Sequence, residues 1–343
     1  METRGGKSLR TVAAVAALFA VTTPPGAGQI IAGPDGPVEF IGLQDWSAQE
    51  LFDAIQSTAP DQPFHACAIT MKDELGFADA AAMLTNESGD WYTIVVGVED
   101  SARVRHRPAG NEAVALPEAW REVATAVGND LLTVSAIAGA LPRRGGFLDR
   151  VFNRSWRLAR EMGGNPQILD QVWDFVDNAD SEDDRHLAHV VLARDSSWSA
   201  RVVATLVLGN SVDDDTSWHA LAGATTDPRN AVSSVATAML VGMSKRRKDP
   251  VEWTGARAHL SALLDGTNPV HFNGILQVLV ATGIDPQFGQ QLVRESPDLL
   301  LAHARAEHEP TRAKALAFLR AISGEDHGSD VEAWTAWVTG QPD

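Results

Sequence analysis

The feature that most constrains the fold of this chain is a weak internal repeat in its C-terminal half. Small residues that would lie in the middle of successive helices recur at Ala204, Ala236, Gly274 and Ala315. Their spacings are 32, 38 and 41 residues, and aliphatic residues surround them at helical spacing. Helical hairpins of this length cannot bury their apolar faces alone and must stack on one another. The repeat therefore predicts a stack of helices over residues 147–343.

The repeating units resemble HEAT repeats and HEAT-like repeats. In that family the second helix of each unit commonly opens with an acidic residue, followed at fixed offsets by an aliphatic residue, Arg, Ala, Leu and Gly. The best-matching unit fills these positions with Asp195, Ala200, Arg201, Ala204, Leu208 and Gly209. The unit that begins at Asp227 lacks the arginine, and the unit that contains Arg312 lacks the aspartate. The resemblance implies a right-handed α-solenoid that presents its inner helices to a protein partner.

The N-terminal half shows a different pattern, with helix and strand signals mixed over residues 38–141. Ser47 and Glu50 have the spacing of a capping box, which predicts a helix over the next eleven or twelve residues. Alternating apolar residues predict a strand over 92–98, and residues 64–70 are expected to form another. The predicted fold class is therefore a small α+β domain followed by an all-α HEAT-like solenoid.

Glycine and proline mark the predicted boundaries. Residues 29–37 contain two of each and are expected to be a linker before the first domain. A helical pattern runs over 117–140 with an interruption near Gly128. The breaker cluster Pro142–Gly146 follows, and strand patterns disappear beyond it, so the boundary between the two domains is predicted there.

Residues 1–28 have the layout of a secretory signal peptide. Three basic residues precede an apolar run over 11–23, and small residues at 26–28 supply a cleavage site. The run is shorter than the roughly 20 residues that a bilayer crossing needs. The mature chain is expected to start near Gln29 and to be exported to the periplasm or the extracellular space, or to stay attached through an uncleaved anchor. No integral span is predicted after signal removal.

The charge of the chain argues against nucleic acid as a partner. The sequence carries 45 acidic and 28 basic residues, a formal net charge of −17. A field of that sign opposes approach to phosphate. The single cysteine, Cys67, cannot form an internal disulfide, so stability must come from an apolar core.

Two basic clusters oppose this acidity: Lys245–Lys248, which is expected to be a solvated loop between repeats, and a group of three alternating arginines. Arg103, Arg105 and Arg107 follow a turn at residues 100–101, which predicts a hairpin with a basic stripe on one face of its second strand. Such a stripe is a candidate binding patch for a carboxylate, a phosphate group or an acidic segment of a partner. The arginines can instead pair with the protein's own carboxylates.

Other residue pairs indicate no established chemistry. His65 and Cys67 would lie on the same face of a strand, too far apart for the hydrogen bond of a nucleophile and its base. His186 and His189 do not have the spacing of a His-Glu-x-x-His zinc site, and the acidic residues beside them suit the start of a helix. No catalytic residue, metal ligand or cofactor is predicted.

These patterns favour an exported, non-enzymatic interaction scaffold whose protein partner is not identified by the sequence. The alternative is a small-ligand-binding or catalytic domain over residues 38–141, with the solenoid serving only to position it.

Overall fold

The computed structural model describes residues 29–86, 89–144 and 153–340. The predicted signal peptide and the last three residues of the predicted solenoid lie outside these ranges. Four strands are β1 (Gln29–Gly33), β2 (Gly36–Ile41), β3 (Asp79–Thr85) and β4 (Tyr92–Val98). The helices of the N-terminal part are α1 (Ala48–Thr58), α2 (Ala68–Asp73), α3 (Glu118–Gly128) and α4 (Leu131–Ala140).

Twelve further α-helices are described after residue 152. They are α5 (Arg154–Glu161), α6 (Pro166–Asn178), α7 (Glu182–Arg194), α8 (Trp198–Leu208), α9 (Asp215–Ala224), α10 (Asn230–Ser244), α11 (Arg257–Asp265), α12 (Phe272–Ala281), α13 (Pro286–Glu295), α14 (Asp298–Ala304), α15 (Glu309–Ser323) and α16 (Val331–Thr339). Within the described ranges, no single helix has the length and hydropathy of a membrane crossing. One pair of helices, Glu118–Gly128 and Leu131–Arg143, reaches that length and hydropathy when the two are taken together, but the pair is bent by 103°.

The four strands form one mixed sheet in the order β1-β2-β4-β3. Strand β2 runs parallel to β4, and the other two pairs are antiparallel. The linker predicted over residues 29–37 is wrong, because β1 and β2 form a hairpin across these residues. Gly36 has a φ of 125°, and a Cβ there would lie 2.3 Å from the carbonyl oxygen of Trp91. The glycine therefore serves a tight turn against the neighbouring chain rather than a flexible connection.

A second correction concerns residues 64–70, which do not form a strand. Phe64–Ala66 is a 3₁₀ turn that leads directly into α2. The strand that the sequence did not indicate is β3, whose first residues are Asp-Ala-Ala-Ala. Alanine and aspartate have low strand propensity, so this segment is extended because of its pairing with β4 rather than through local preference.

The capping box predicted at the start of α1 is confirmed. The Ser47 Oγ accepts a hydrogen bond from the Glu50 amide at 3.3 Å, and the Glu50 carboxylate accepts one from the Ser47 amide at 3.2 Å. These bonds satisfy two backbone N–H groups that the helix itself leaves without a partner. They also hold the pKa of the Glu50 carboxyl below its usual value.

Replacing Ser47 with alanine is expected to lower the free energy of unfolding by about 1 kcal/mol, because one capping bond is lost. Chemical denaturation of the full chain measures the change. Ser57→Ala, near the other end of the same helix, is the matched control and is expected to change stability by less than about 0.5 kcal/mol. Equal effects of the two substitutions would contradict the capping role.

Each face of the sheet is covered by a different set of helices. Helices α1 and α2 cover one face, where Phe40 and Val95 pack against Leu51 and Met71. The opposite face joins a second core that continues through the helices as far as α16. This core includes Trp334, which is fully buried.

The predicted domain boundary, Pro142–Gly146, lies partly outside the described residues, and described helices before and after it pack together. Helices α3 and α4 form as expected from the pattern over 117–140, but they pack against α8 and α10 of the helical region. The cause lies in α4, whose sequence is almost entirely apolar and which therefore needs neighbours on more than one side. The strands, α3, α4 and the later helices thus share one continuous core.

The helices after residue 181 are packed in alternation. Helix α8 contacts α10, α10 contacts α12, and α12 contacts α15. The intervening helices make a second series, in which α9 contacts α7 and α11, and α11 contacts α13 and α14. The region is rich in helices that pack mainly on their sequence neighbours and next-but-one neighbours, which is compatible with a helical repeat.

Candidate functional site

The segment that carries the three arginines is not a strand. Residues 101–103 form a 3₁₀ turn, and no strand is assigned between it and α3. The hairpin and its one-sided basic stripe are therefore wrong, because β4 already has β2 and β3 as neighbours and offers no free edge. We call residues 103–114 the strap.

The strap runs across the loops that join successive helix pairs. From its first residue to its last, it meets these loops in the reverse of their order in the sequence. Four of its backbone amides donate hydrogen bonds to these loops: Arg105 to Oγ1 of Thr267 at 2.8 Å, Arg107 to the carbonyl of Thr226 at 3.0 Å, Glu112 to the carbonyl of Arg194 at 2.9 Å, and Val114 to Oδ2 of Asp195 at 3.0 Å. A further loop, before α15, contacts the sheet directly, because the buried Glu39 carboxylate accepts the amides of Glu307 and His308.

Arg107 belongs to a buried ionic cluster. Its Nη2 lies 2.8 Å from the Asp227 carboxylate, and Nε of Arg201 lies 3.1 Å from the same oxygen. Asp227 is fully buried and also accepts the Arg229 amide at 2.9 Å. Burial lowers the pKa of Arg107, and the Asp227 carboxylate opposes that change. Arg107 is therefore a structural residue that fastens the strap to the loop after α9.

Arg105 and Arg103 share the carboxylate of Asp265, at the end of α11. Arg105 Nη1 lies 3.2 Å from it on the half-exposed surface. Arg103 donates its Nε to the Asp265 carbonyl oxygen at 2.9 Å, and its Nε lies 3.6 Å from the carboxylate. The structure thus separates the three arginines, and Arg103 lines a cavity.

That cavity is a cleft of about 460 Å³ where the sheet meets the last helices. One wall is the loop 42–44, which follows β2, and Arg103, which follows β4. Helices α14 and α16 form the other wall. The cleft therefore lies at the carboxyl ends of the two parallel strands, the position where open sheets with parallel strands commonly bind ligands. The Glu99 carboxylate holds this loop in place by accepting the amides of Gln44 and Asp45.

A second arginine, Arg305, enters the cleft from the end of α14. Its Nη2 donates to Oγ1 of Thr335 at 3.0 Å. Among the described residues, no carboxylate forms an ion pair with Arg305, and the Nη groups of Arg103 have no hydrogen-bond partner. The cleft therefore offers N–H groups of two guanidinium groups to an anionic ligand.

The two other candidate sites do not gain support from the geometry. Cys67 is buried, and burial raises the pKa of its thiol to about 12, so the thiolate nucleophile is not available near neutral pH. His65 is exposed on the neighbouring turn. Nε2 of His189 lies 4.0 Å from Asp214, and within the described ranges no three His, Cys, Asp or Glu residues are grouped to hold a metal ion.

The sequence singles out Arg103 as part of a candidate patch and does not single out Arg305. The two residues are 202 positions apart in the chain, and nothing in the local pattern around Arg305 distinguishes it from other helical arginines. Comparisons of the chain with protein-family models, with curated proteins and with solved structures found no match. The site is therefore defined by its own geometry.

Proposed function

We propose that this protein is an exported, non-enzymatic binding protein, built as a HEAT-like right-handed solenoid with a small sheet region fixed along one edge. Its partner binds in the cleft between the sheet and the last helices. The observation that carries this proposal is the cleft itself, where Arg103 and Arg305 present N–H groups to an anionic group.

A contact that recurs in two units supports the HEAT-like part of the proposal. Nη1 of Arg201 donates to the carbonyl oxygens of Asp195 and Ser196, six and five residues before it. Nη1 of Arg312 donates to the carbonyls of Ala306 and Glu307 at the same offsets. The same side chain thus closes the loop before the second helix in both units, as expected of repeated structural units.

The hydrogen bonds of the strap favour a partner site away from the loops that join the helix pairs. The strap bonds to the loops before α8, α10 and α12, and Glu39 bonds to the loop before α15. These backbone groups are therefore already bonded within the chain. The cleft at the carboxyl ends of β2 and β4 is larger than the cavity that β3 forms with the loops near the strap, about 460 Å³ against about 290 Å³.

Export is part of the proposal because of the predicted signal peptide. Cleavage before Gln29 would leave all four described strands intact, since β1 begins at that residue. N-terminal sequencing of the protein from the cell envelope tests this point. An unprocessed N-terminus would favour the anchored form.

Capture of partners by the full chain tests the binding function. Wild-type protein and the variants Arg305→Gln and Arg294→Gln are used on the envelope or secreted fraction of the native cell. Arg294 is an exposed helical arginine outside the cleft, so its variant controls for the loss of one positive charge. We expect one set of proteins to be retained by the wild type and by Arg294→Gln and to be lost from Arg305→Gln. Retention of the same proteins by all three would contradict the cleft as the site.

A further inference from the structure

The cleft is lined by both charged and apolar residues. Arg103 and Arg305 supply positive charge, and Leu43, Leu299 and Leu301 are among the apolar residues. Leu299 and Leu301 are largely buried against the helices, so this part of the lining is backed by the protein core. A ligand that matches both features has an anionic group attached to an apolar body.

The local charge around the cleft is positive even though the chain is acidic overall. Arg103 and Arg105 share the single carboxylate of Asp265, and Arg305 forms no ion pair among the described residues. The one acidic side chain in the wall is Asp298, which is exposed. Two guanidinium groups with free N–H groups in a partly enclosed space are suited to the planar, two-oxygen geometry of a carboxylate.

The size of the cleft limits what enters it. A volume of about 460 Å³ lies within the range of roughly 300–1,000 Å³ that holds drug-sized ligands. It accommodates the end of a chain rather than a folded surface. Thr335 and Thr339 add hydroxyl groups on α16, whose protons are donated to carbonyl oxygens of the same helix, so that their oxygens can accept from a ligand amide.

We infer that the cleft binds the carboxylate at the end of an apolar chain. The C-terminal residue of a polypeptide partner and a free apolar acid share this chemistry. The inference rests on the proposed function, because it concerns the same cleft and adds the chemical class of the group that occupies it.

Isothermal titration calorimetry of the full chain with four small probes tests the inference. The probes are N-acetyl-leucyl-leucine, its C-terminal amide, octanoate and octyl phosphate. We expect the dipeptide acid to bind about tenfold or more tightly than the amide, since the amide cannot form charge-assisted bonds with the arginines. Tighter binding of the dipeptide acid than of octanoate assigns the site to a polypeptide C-terminus, and the reverse order assigns it to a free acid.

Three variants locate the binding. Arg305→Gln is expected to weaken binding of the better acid by about tenfold or more, and Arg294→Gln is expected to leave it unchanged. Asp298→Asn is expected to strengthen binding severalfold, because it removes a negative charge beside the ligand. Because Asp298 is exposed, its replacement is expected to leave the fold intact, so this variant tests the site even if Arg305→Gln folds poorly. Circular dichroism checks the fold of Arg305→Gln.

Equal binding of acid and amide, or unchanged binding by Arg305→Gln, would overturn the inference. Tighter binding of octyl phosphate than of octanoate would overturn it as well, in favour of a phosphate ester. If no probe binds while Arg305→Gln still loses its protein partner, the carboxylate inference fails and the proposed function stands. If the probes bind as expected while no partner depends on Arg305, the protein-binding part of the proposed function fails instead.

Discussion

Replacement of Asp227 with alanine is expected to lower the free energy of unfolding by roughly 3–5 kcal/mol. The Asp227 carboxylate is fully buried between the guanidinium groups of Arg107 and Arg201. Its removal leaves two cations in the interior without their counterion, at sites where water does not replace it. Urea denaturation of the full chain, monitored by circular dichroism, measures the loss.

The same substitution is expected to release the strap. Arg107 is fastened by Asp227, so hydrogen exchange of the amides at 105–114 should become faster than in the wild type. Asp213→Ala is the control, because Asp213 is an exposed carboxylate near α9. It is expected to change stability by less than about 0.5 kcal/mol. A loss below about 1 kcal/mol in Asp227→Ala would show that the cluster does not hold the strap.

Acidification is expected to destabilise the protein through two buried histidines. Burial lowers the pKa values of His271 and His303 to about 4, whereas an exposed histidine in the unfolded chain titrates near 6.5. Between these values the unfolded state binds protons that the folded state does not. The contribution of the neutral histidines to the free energy of unfolding is therefore fully present above about pH 6.5. It is lost as the pH falls toward 4, by roughly 3 kcal/mol for each histidine.

A variant of His303 isolates its share of this loss. Nδ1 of His303 lies 2.9 Å from the Leu299 carbonyl oxygen, and an asparagine side chain can offer a donor there without titrating. Between pH 7.5 and pH 5 the fall in unfolding free energy is expected to be about 2 kcal/mol smaller in His303→Asn than in the wild type. His65→Asn, at an exposed position, is the control and should not alter the pH dependence. Parallel pH profiles for all three proteins would contradict the role of His303.

The parts of the fold that depend on neighbours in sequence could be predicted. The capping box at Ser47 and Glu50, the interruption of the helix near Gly128 and the alternating strand β4 all formed as expected. Each is decided by hydrogen bonds or side-chain periodicity within one or two turns of the chain. The helix-rich character of the C-terminal part follows in the same way from the 3.6-residue pattern of its apolar positions.

Elements that depend on distant partners could not be predicted. The Gly-Pro turn at 33–37 has the composition of a linker, and only pairing of β1 with β2 makes it a hairpin. Strand β3 is extended because β4 lies beside it, although its alanines favour helix. The arginine segment has the alternation of a strand but becomes a strap, since its amides bond to loops at 194–196, 226 and 267.

The sequence by itself determined the helix that follows Ser47, the helix-rich character of the C-terminal part, the acidity of the chain and the presence of Arg103 among the residues that oppose it. Tertiary structure alone decided which of the three arginines lines the cleft. Arg107 pairs with Asp227, and Arg105 and Arg103 share Asp265, but Arg103 also lines, together with Arg305, a cleft that exists only because the sheet packs on the last helices. The physical reason is that the effect of a charge depends on its distance to other charges and on its burial, and residues far apart in sequence set both.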